Sequence, residues 1–129
     1  SFISWGNQFY TIIRTQLRAG YFGFVNVSYD IKQDGRFSKL RISVDTETHS
    51  KDYSASLPVE NIRIWDFTQP PVKVSVNGIG LRPAEGTADN AIGELRTQQG
   101  YYLDKRTNQL YVGVHKDSDN IKIEVVWMD

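Results

Sequence analysis

Apolar residues recur at every second position over most of the chain from residue 20 onward. A period of two is the repeat of a β-strand with one buried face, because successive side chains of a strand point to opposite faces of its sheet. The clearest alternating segments are Leu40–Val44, Ile62–Ile64, Val72–Val76, Leu110–Val114 and Ile121–Trp127. Each of them predicts a strand with its apolar side chains toward a core.

Turn signals separate these strands. A further alternation covers residues 21–31, and the dipeptides Asp34-Gly35 and Asn77-Gly78 follow two of the strands. Both dipeptides predict tight hairpins, because glycine tolerates the positive φ that such a reversal needs. A single sheet would leave the apolar faces of these strands in water. We therefore predict an all-β fold, an antiparallel β-sandwich of about seven to eight strands.

Three segments are less regular. Residues 8–18 have the β-branched and aromatic content of a strand but also apolar residues at helical spacing, so strand and helix both stay open, with the strand favoured. The polar segment 46–56 predicts a loop. Residues 79–99 contain Gly, Pro, Ala and Asn with little apolar content, and they predict a long loop insertion, either at a hairpin tip or as a functional excursion. Residues 1–129 are interpreted as one domain.

The residue inventory argues against several classes of function. Fifteen Lys and Arg offset fifteen Asp and Glu, and no basic stretch marks a nucleic-acid-binding face. The absence of cysteine removes thiolate metal sites, disulfides and a Cys nucleophile. No apolar run approaches the roughly 20 residues that cross a bilayer. We expect neither a nucleic-acid nor a membrane partner, and no cofactor.

Residues able to carry catalysis do not form a recognisable pattern. His49 and His115 lack metal-ligand spacing, which predicts surface histidines and no metal site. No nucleophile-elbow or phosphate-loop motif is present. Turn or solvent-facing roles are favoured for the carboxylates in or near strands, which are Asp30, Asp45, Glu60, Asp66, Asp104 and Glu124. We therefore predict no catalytic residue and a chain that is not an enzyme by itself.

Aromatic residues are the most suggestive surplus, with three Trp, seven Tyr and six Phe. Trp127 is in phase with its apolar strand and is assigned to the core. Trp5, Trp65, Tyr102 and Tyr111 are not committed to the core by their phase. Packing against a partner surface or a second core is the favoured interpretation for these four. The alternative is carbohydrate binding, because an aromatic face suits the apolar C–H face of a sugar ring.

The order of motifs in the second half resembles a known domain. The motifs are Glu60–Ile64, a proline-bearing turn with Val72–Gly78, then Tyr101–Asp104, Asn108–Val114 and Ile121–Trp127. Together they resemble the distal C-terminal β-sandwich domain of glycoside hydrolase family 31, the α-glucosidases and their relatives. The similarity extends more loosely upstream to residue 20. The catalytic carboxylates of that family lie in a large barrel that this chain cannot contain, so none is carried over.

The resemblance implies a non-catalytic accessory β-sandwich associated with an α-glycosidase. Its partner would be the catalytic domain or another chain of the glycosidase, which it braces, and it would contact glucan-type carbohydrate. The alternative is an independent carbohydrate-binding or immunoglobulin-like adhesion module that uses the exposed aromatics and the 79–99 loop. The sequon at Asn26–Ser28 and the glycosidase resemblance favour a secreted or lumenal location.

Overall fold

The computed structural model describes residues 13–17, 26–45, 59–116 and 120–128. Within these ranges the chain forms nine β-strands and one short α-helix. In chain order they are β1 Ile13–Leu17, β2 Asn26–Asp34, β3 Phe37–Asp45, β4 Val59–Ile64, β5 Pro71–Val76, β6 Ile79–Gly80, α1 Ala88–Glu94, β7 Gly100–Asp104, β8 Gln109–Lys116 and β9 Asn120–Met128. Among the described residues, no helix has the length and apolar character needed to span a bilayer.

The described strands form two antiparallel sheets. One sheet has four strands in the order β1-β4-β8-β7, and the other has five in the order β2-β3-β9-β5-β6. Because β6 contains only two residues, the described part of the chain has eight longer strands. The predicted fold class, an all-β antiparallel β-sandwich, is confirmed.

One apolar core lies between the two sheets, and both contribute to it. The alternating positions of β3, β4, β8 and β9 supply most of its side chains, as their period predicted. Trp127 is fully buried, and its ring meets that of Phe67 edge to face with centroids 5.3 Å apart. Removing these side chains from water, at about 25 cal/mol per Å² of apolar surface, is the main force that joins the sheets. The core residues are Leu40, Ile42, Val44, Val59, Ile62, Ile64, Phe67, Val74, Val76, Leu110, Val112, Val114, Ile121, Ile123, Val125 and Trp127.

Both predicted hairpin turns are present. Asp34 pairs with Phe37 across the β2–β3 hairpin, and Gly35 in its loop has a φ of 62°. In the β5–β6 hairpin Asn77 and Gly78 have φ values of 50° and 82°. Positive φ at both central positions is the backbone of a type I′ turn, which explains the Asn-Gly dipeptide there.

The predicted apolar face of Val72–Val76 fails at its first residue. Val74 and Val76 are buried, whereas Val72 is 58% exposed. Across β9, Pro71 pairs with Trp127 and Lys73 with Val126, so the register shifts between Pro71 and Lys73. A β-bulge therefore leaves Val72 as an extra residue outside the core, and an inserted residue turns a side chain to the other face.

The N-terminal segment is a strand where the structure describes it. β1 is antiparallel to β4, with Ile13 opposite Ile64 and Thr15 opposite Ile62. Of residues 8–18, for which strand and helix both stood open, the strand forms over Ile13–Leu17. The rest of that segment, like the predicted loop at 46–56, lies outside the described residues.

Residues 79–99 differ from the expected loop. They begin with β6, and then residues 82–84 run beside β7, where the amide of Ala84 donates to the carbonyl of Tyr101 at 2.7 Å. Next comes α1, capped by Thr87, whose hydroxyl accepts from the amide of Asn90 at 3.4 Å. The segment thus carries the chain from the five-stranded to the four-stranded sheet, and it buries Ala91 and Leu95 on the way.

Candidate functional site

The end of α1 packs against the outer face of the four-stranded sheet at two glycines, Gly100 and Gly113, which together form its seat. Gly100 of β7 lies directly opposite Gly113 of β8. A Cβ placed on Gly113 would lie 2.6 Å from the carbonyl oxygen of Gln98 and 3.0 Å from that of Leu95. Only a residue without a side chain leaves room for this close approach of two backbones.

Two side-chain hydrogen bonds fasten the same segment to β8. The imidazole Nε2 of His115 lies 2.8 Å from the carbonyl oxygen of Leu95, so Nε2 is the protonated nitrogen that donates this bond. The amide of Gln99 donates to the carbonyl of Val114 at 2.8 Å. His115 was predicted to be a surface histidine. It is instead half-buried and holds a carbonyl at the helix end, whereas His49 lies outside the described residues.

A groove of about 330 Å³ lies between this segment and the sheet. The sheet contributes Asn61, Arg63 and Tyr111, with Glu60 beside them. The helix side contributes Ile92, Leu95 and Arg96. The lining thus combines apolar contacts with amide, guanidinium and carboxylate groups in one concave site, as small-molecule sites commonly do.

The charged groups of the groove are unevenly matched. The guanidinium carbon of Arg63 lies over the ring of Tyr111, 5.1 Å from its centroid, as a cation–π contact. Among the described residues, no carboxylate lies within ion-pair distance of Arg63 or Arg96. Two guanidinium groups therefore share the groove with the single carboxylate of Glu60.

Of the four predicted aromatic site residues, Tyr111 lines this groove, and Tyr102 pairs with it from the neighbouring strand without lining the groove. Tyr102 of β7 lies directly opposite Tyr111 of β8, and Tyr111 lies directly opposite Arg63 of β4. Both tyrosines are half-buried. Trp65 follows β4, is also half-buried and does not line the groove, and Trp5 lies outside the described residues.

Sequence reasoning missed the polar partners of these tyrosines. Arg63 alternates with Ile62 and Ile64, a signal that it faces outward, but only strand register places it beside Tyr111. Arg96 lies just beyond α1, which was expected to be loop. Thr87 before Asp89, with apolar residues in the next turn, is a helix-start pattern that could have revealed it.

Asp104 is one of the carboxylates that were predicted to have turn or solvent-facing roles. Asp104 does open a turn, since its Oδ1 accepts from the amide of Arg106 at 3.0 Å, but its side chain is buried. The hydrogen bond from the Arg106 guanidinium is the main reason that the pKa of Asp104 lies below its usual value. Asp30 is exposed and paired with Arg41 at 2.6 Å. Over the described residues, no group of three or more His, Cys, Asp or Glu side chains could hold a metal ion.

Comparisons with known proteins add no relative. No protein-family model, no curated protein and no solved structure matches this chain. The resemblance to glycoside hydrolase family 31 therefore stays a prediction.

Proposed function

We propose that this chain is a non-catalytic carbohydrate-binding β-sandwich whose ligand occupies the groove beside α1. The observation that carries the proposal is the placement of Tyr111 in a groove that also contains Asn61, Arg63 and Arg96. A sugar presents apolar C–H faces and a rim of hydroxyl groups, so it needs an aromatic or aliphatic surface next to hydrogen-bonding side chains.

The contact between Arg63 and Tyr111 limits how a sugar could bind. Because the guanidinium lies over the Tyr111 ring, one face of that ring is occupied. We expect the sugar to contact the opposite face or the edge of the ring, with Tyr102 next to it. Ile92 and Leu95 supply the apolar wall across the groove.

The accessory role beside an α-glycosidase is compatible with this proposal. A sandwich that binds carbohydrate and is attached to a catalytic domain would hold substrate near it. The resemblance alone supports that role, and it stays a prediction.

The proposal is tested by a glycan array followed by isothermal titration of the 129-residue chain with each glycan that binds. We expect Tyr111→Ala to weaken binding by about 30-fold or more, because truncating a central aromatic of a binding site commonly costs about 2 kcal/mol. The matched control is Tyr29→Ala, which changes an exposed tyrosine on the five-stranded sheet, and it should leave affinity unchanged.

Thermal melts of both variants separate binding from packing. If Tyr111→Ala lowers the melting temperature but keeps the affinity, the ring has a packing role and the site is wrong. An array on which no glycan binds would refute carbohydrate binding itself.

A further inference from the structure

We infer that the saccharide bound in this groove carries a carboxylate, as uronic acids do, and that Arg63 and Arg96 bind it. This inference rests on the proposed function and narrows its ligand class. It departs from the neutral glucan that the family resemblance implies.

The charge of the groove is the first argument. Among the described arginines, Arg41 is bound to Asp30 and Arg106 to Asp104, whereas the exposed Arg36 and Arg82 have no carboxylate within ion-pair distance and do not line the groove. Arg63 and Arg96 line one groove, and in the described part of the chain neither has such a partner. An anion in the groove would give these two guanidinium groups the carboxylate partner that they lack within the protein.

The geometry of Arg63 is the second argument. A guanidinium group is planar and presents a fork of N–H donors that matches both oxygens of a carboxylate. The cation–π contact with Tyr111 restrains the Arg63 side chain before the ligand arrives, so less side-chain freedom is lost on binding. Glu60 also lines the groove, where it would accept hydrogen bonds from hydroxyl groups of the sugar ring.

The experiment uses a panel of uronate oligosaccharides, each paired with its carboxyl-reduced form, in which the carboxylate becomes a neutral CH₂OH group. Titration of the full chain should show binding of at least one uronate that is about tenfold or more tighter than that of its reduced form. Raising the salt concentration should weaken the uronate complex and leave any binding of the reduced form unchanged.

Variants of the two arginines test whether they bind the carboxylate of the uronate. We expect Arg63→Gln and Arg96→Gln each to weaken uronate binding about tenfold or more, and Arg63→Lys, which keeps the charge without the fork, to give an intermediate loss. Arg82→Gln is the matched control, because Arg82 is exposed on the same connection but does not line the groove. Arg96 makes no contact with Tyr111 among those described, so its variant tests the charge without disturbing the ring.

The outcomes separate the inference from the proposed function. Equal affinity for a uronate and its reduced form would overturn the inference and leave carbohydrate binding intact. Failure of every saccharide in the panel and on the array would overturn both. Inorganic phosphate or polyglutamate binding as tightly as the best uronate would show a general anion site and overturn the saccharide assignment.

Discussion

The two outer faces of the sandwich contain depressions of similar size with different charge arrangements. The depression on the five-stranded sheet measures about 370 Å³ and contains Asp30, Arg41, Lys122 and Glu124. Both of its carboxylates have partners within the protein: Arg41 donates two hydrogen bonds to Asp30, at 3.1 and 2.6 Å, and Lys39, outside the depression, lies 3.7 Å from Glu124. Its one guanidinium group is therefore paired, and Lys122 is the charged group there without a carboxylate partner among the described residues.

The groove on the four-stranded sheet is slightly smaller, at about 330 Å³, and its charges are not matched. It is also the face that a helix covers and that contains a tyrosine pair. The comparison teaches that the size of a depression does not identify a binding site. Charged groups that pair with one another already have their hydrogen-bonding partners within the protein. Guanidinium groups without carboxylate partners can still bind an anionic ligand.

The largest loss of stability is expected from a substitution in the core that the two sheets share. Ile123→Lys would place an unpaired charge at a fully buried position of β9 and should cost several kcal/mol of unfolding free energy. Lys73→Glu changes an exposed residue of the neighbouring strand and should cost less than about 0.5 kcal/mol. Urea denaturation measures both. Similar costs for the two changes would show that the assignment of strand faces is wrong.

A smaller loss of stability should be confined to the four-stranded sheet and leave the outer face of the five-stranded sheet unchanged. Gly113→Ala would bring a methyl group against the carbonyl of Gln98 and should cost about 1–3 kcal/mol, since the end of α1 must move. Because α1 is one wall of the groove, saccharide affinity should fall as well. The pairs Asp30–Arg41 and Lys39–Glu124 on the other face should keep their geometry.

Gly93→Ala is the control for that substitution. Gly93 lies within α1, and a Cβ there meets nothing within 4 Å, so alanine should be neutral or stabilise the protein by up to about 1 kcal/mol. Denaturation melts and saccharide titrations of both variants test whether the end of α1 packs directly on Gly113. Loss of stability in the Gly93 variant with none in the Gly113 variant would contradict it.

Alternation predicted the core well because it reports burial directly. Leu110, Val112 and Val114 are all buried, as their spacing required. The same spacing failed at Val72, because a bulge is a mismatch between two paired strands and leaves no mark on one strand alone. The sequence of one strand is enough to predict which of its faces is buried, whereas its pairing depends on a second strand elsewhere in the chain.

The candidate site depends on that non-local information. Tyr102 and Tyr111 were suspected from their phase, but the pairing of Tyr111 with Tyr102 on one side and with Arg63 on the other is set by the register between strands. The seat at Gly113 is equally invisible in sequence, since it exists only because the end of α1 returns to β8. The sequence therefore predicted the aromatic residue of the groove, Tyr111, and did not predict its two arginines, Arg63 and Arg96.

The smallest expected effect is the pH response of the five-stranded face. The hydrogen bond from Arg41 is the main cause that keeps the pKa of Asp30 below its usual value of 3.8. A depressed pKa means that the folded protein binds the proton more weakly than the unfolded chain does, so this pair contributes stability above about pH 4. That contribution disappears as the pH falls through the folded pKa.

Asp30→Asn tests the sign of this effect. Unfolding free energies of both proteins should differ by a small, constant amount near neutral pH, since exposed ion pairs contribute little, and should converge in acid. Saccharide affinity at neutral pH should be the same for both, because Asp30 lies on the face opposite the groove. A difference that grows as the pH falls would contradict the assigned sign. A loss of affinity in the Asp30 variant would show that the two faces do not act separately.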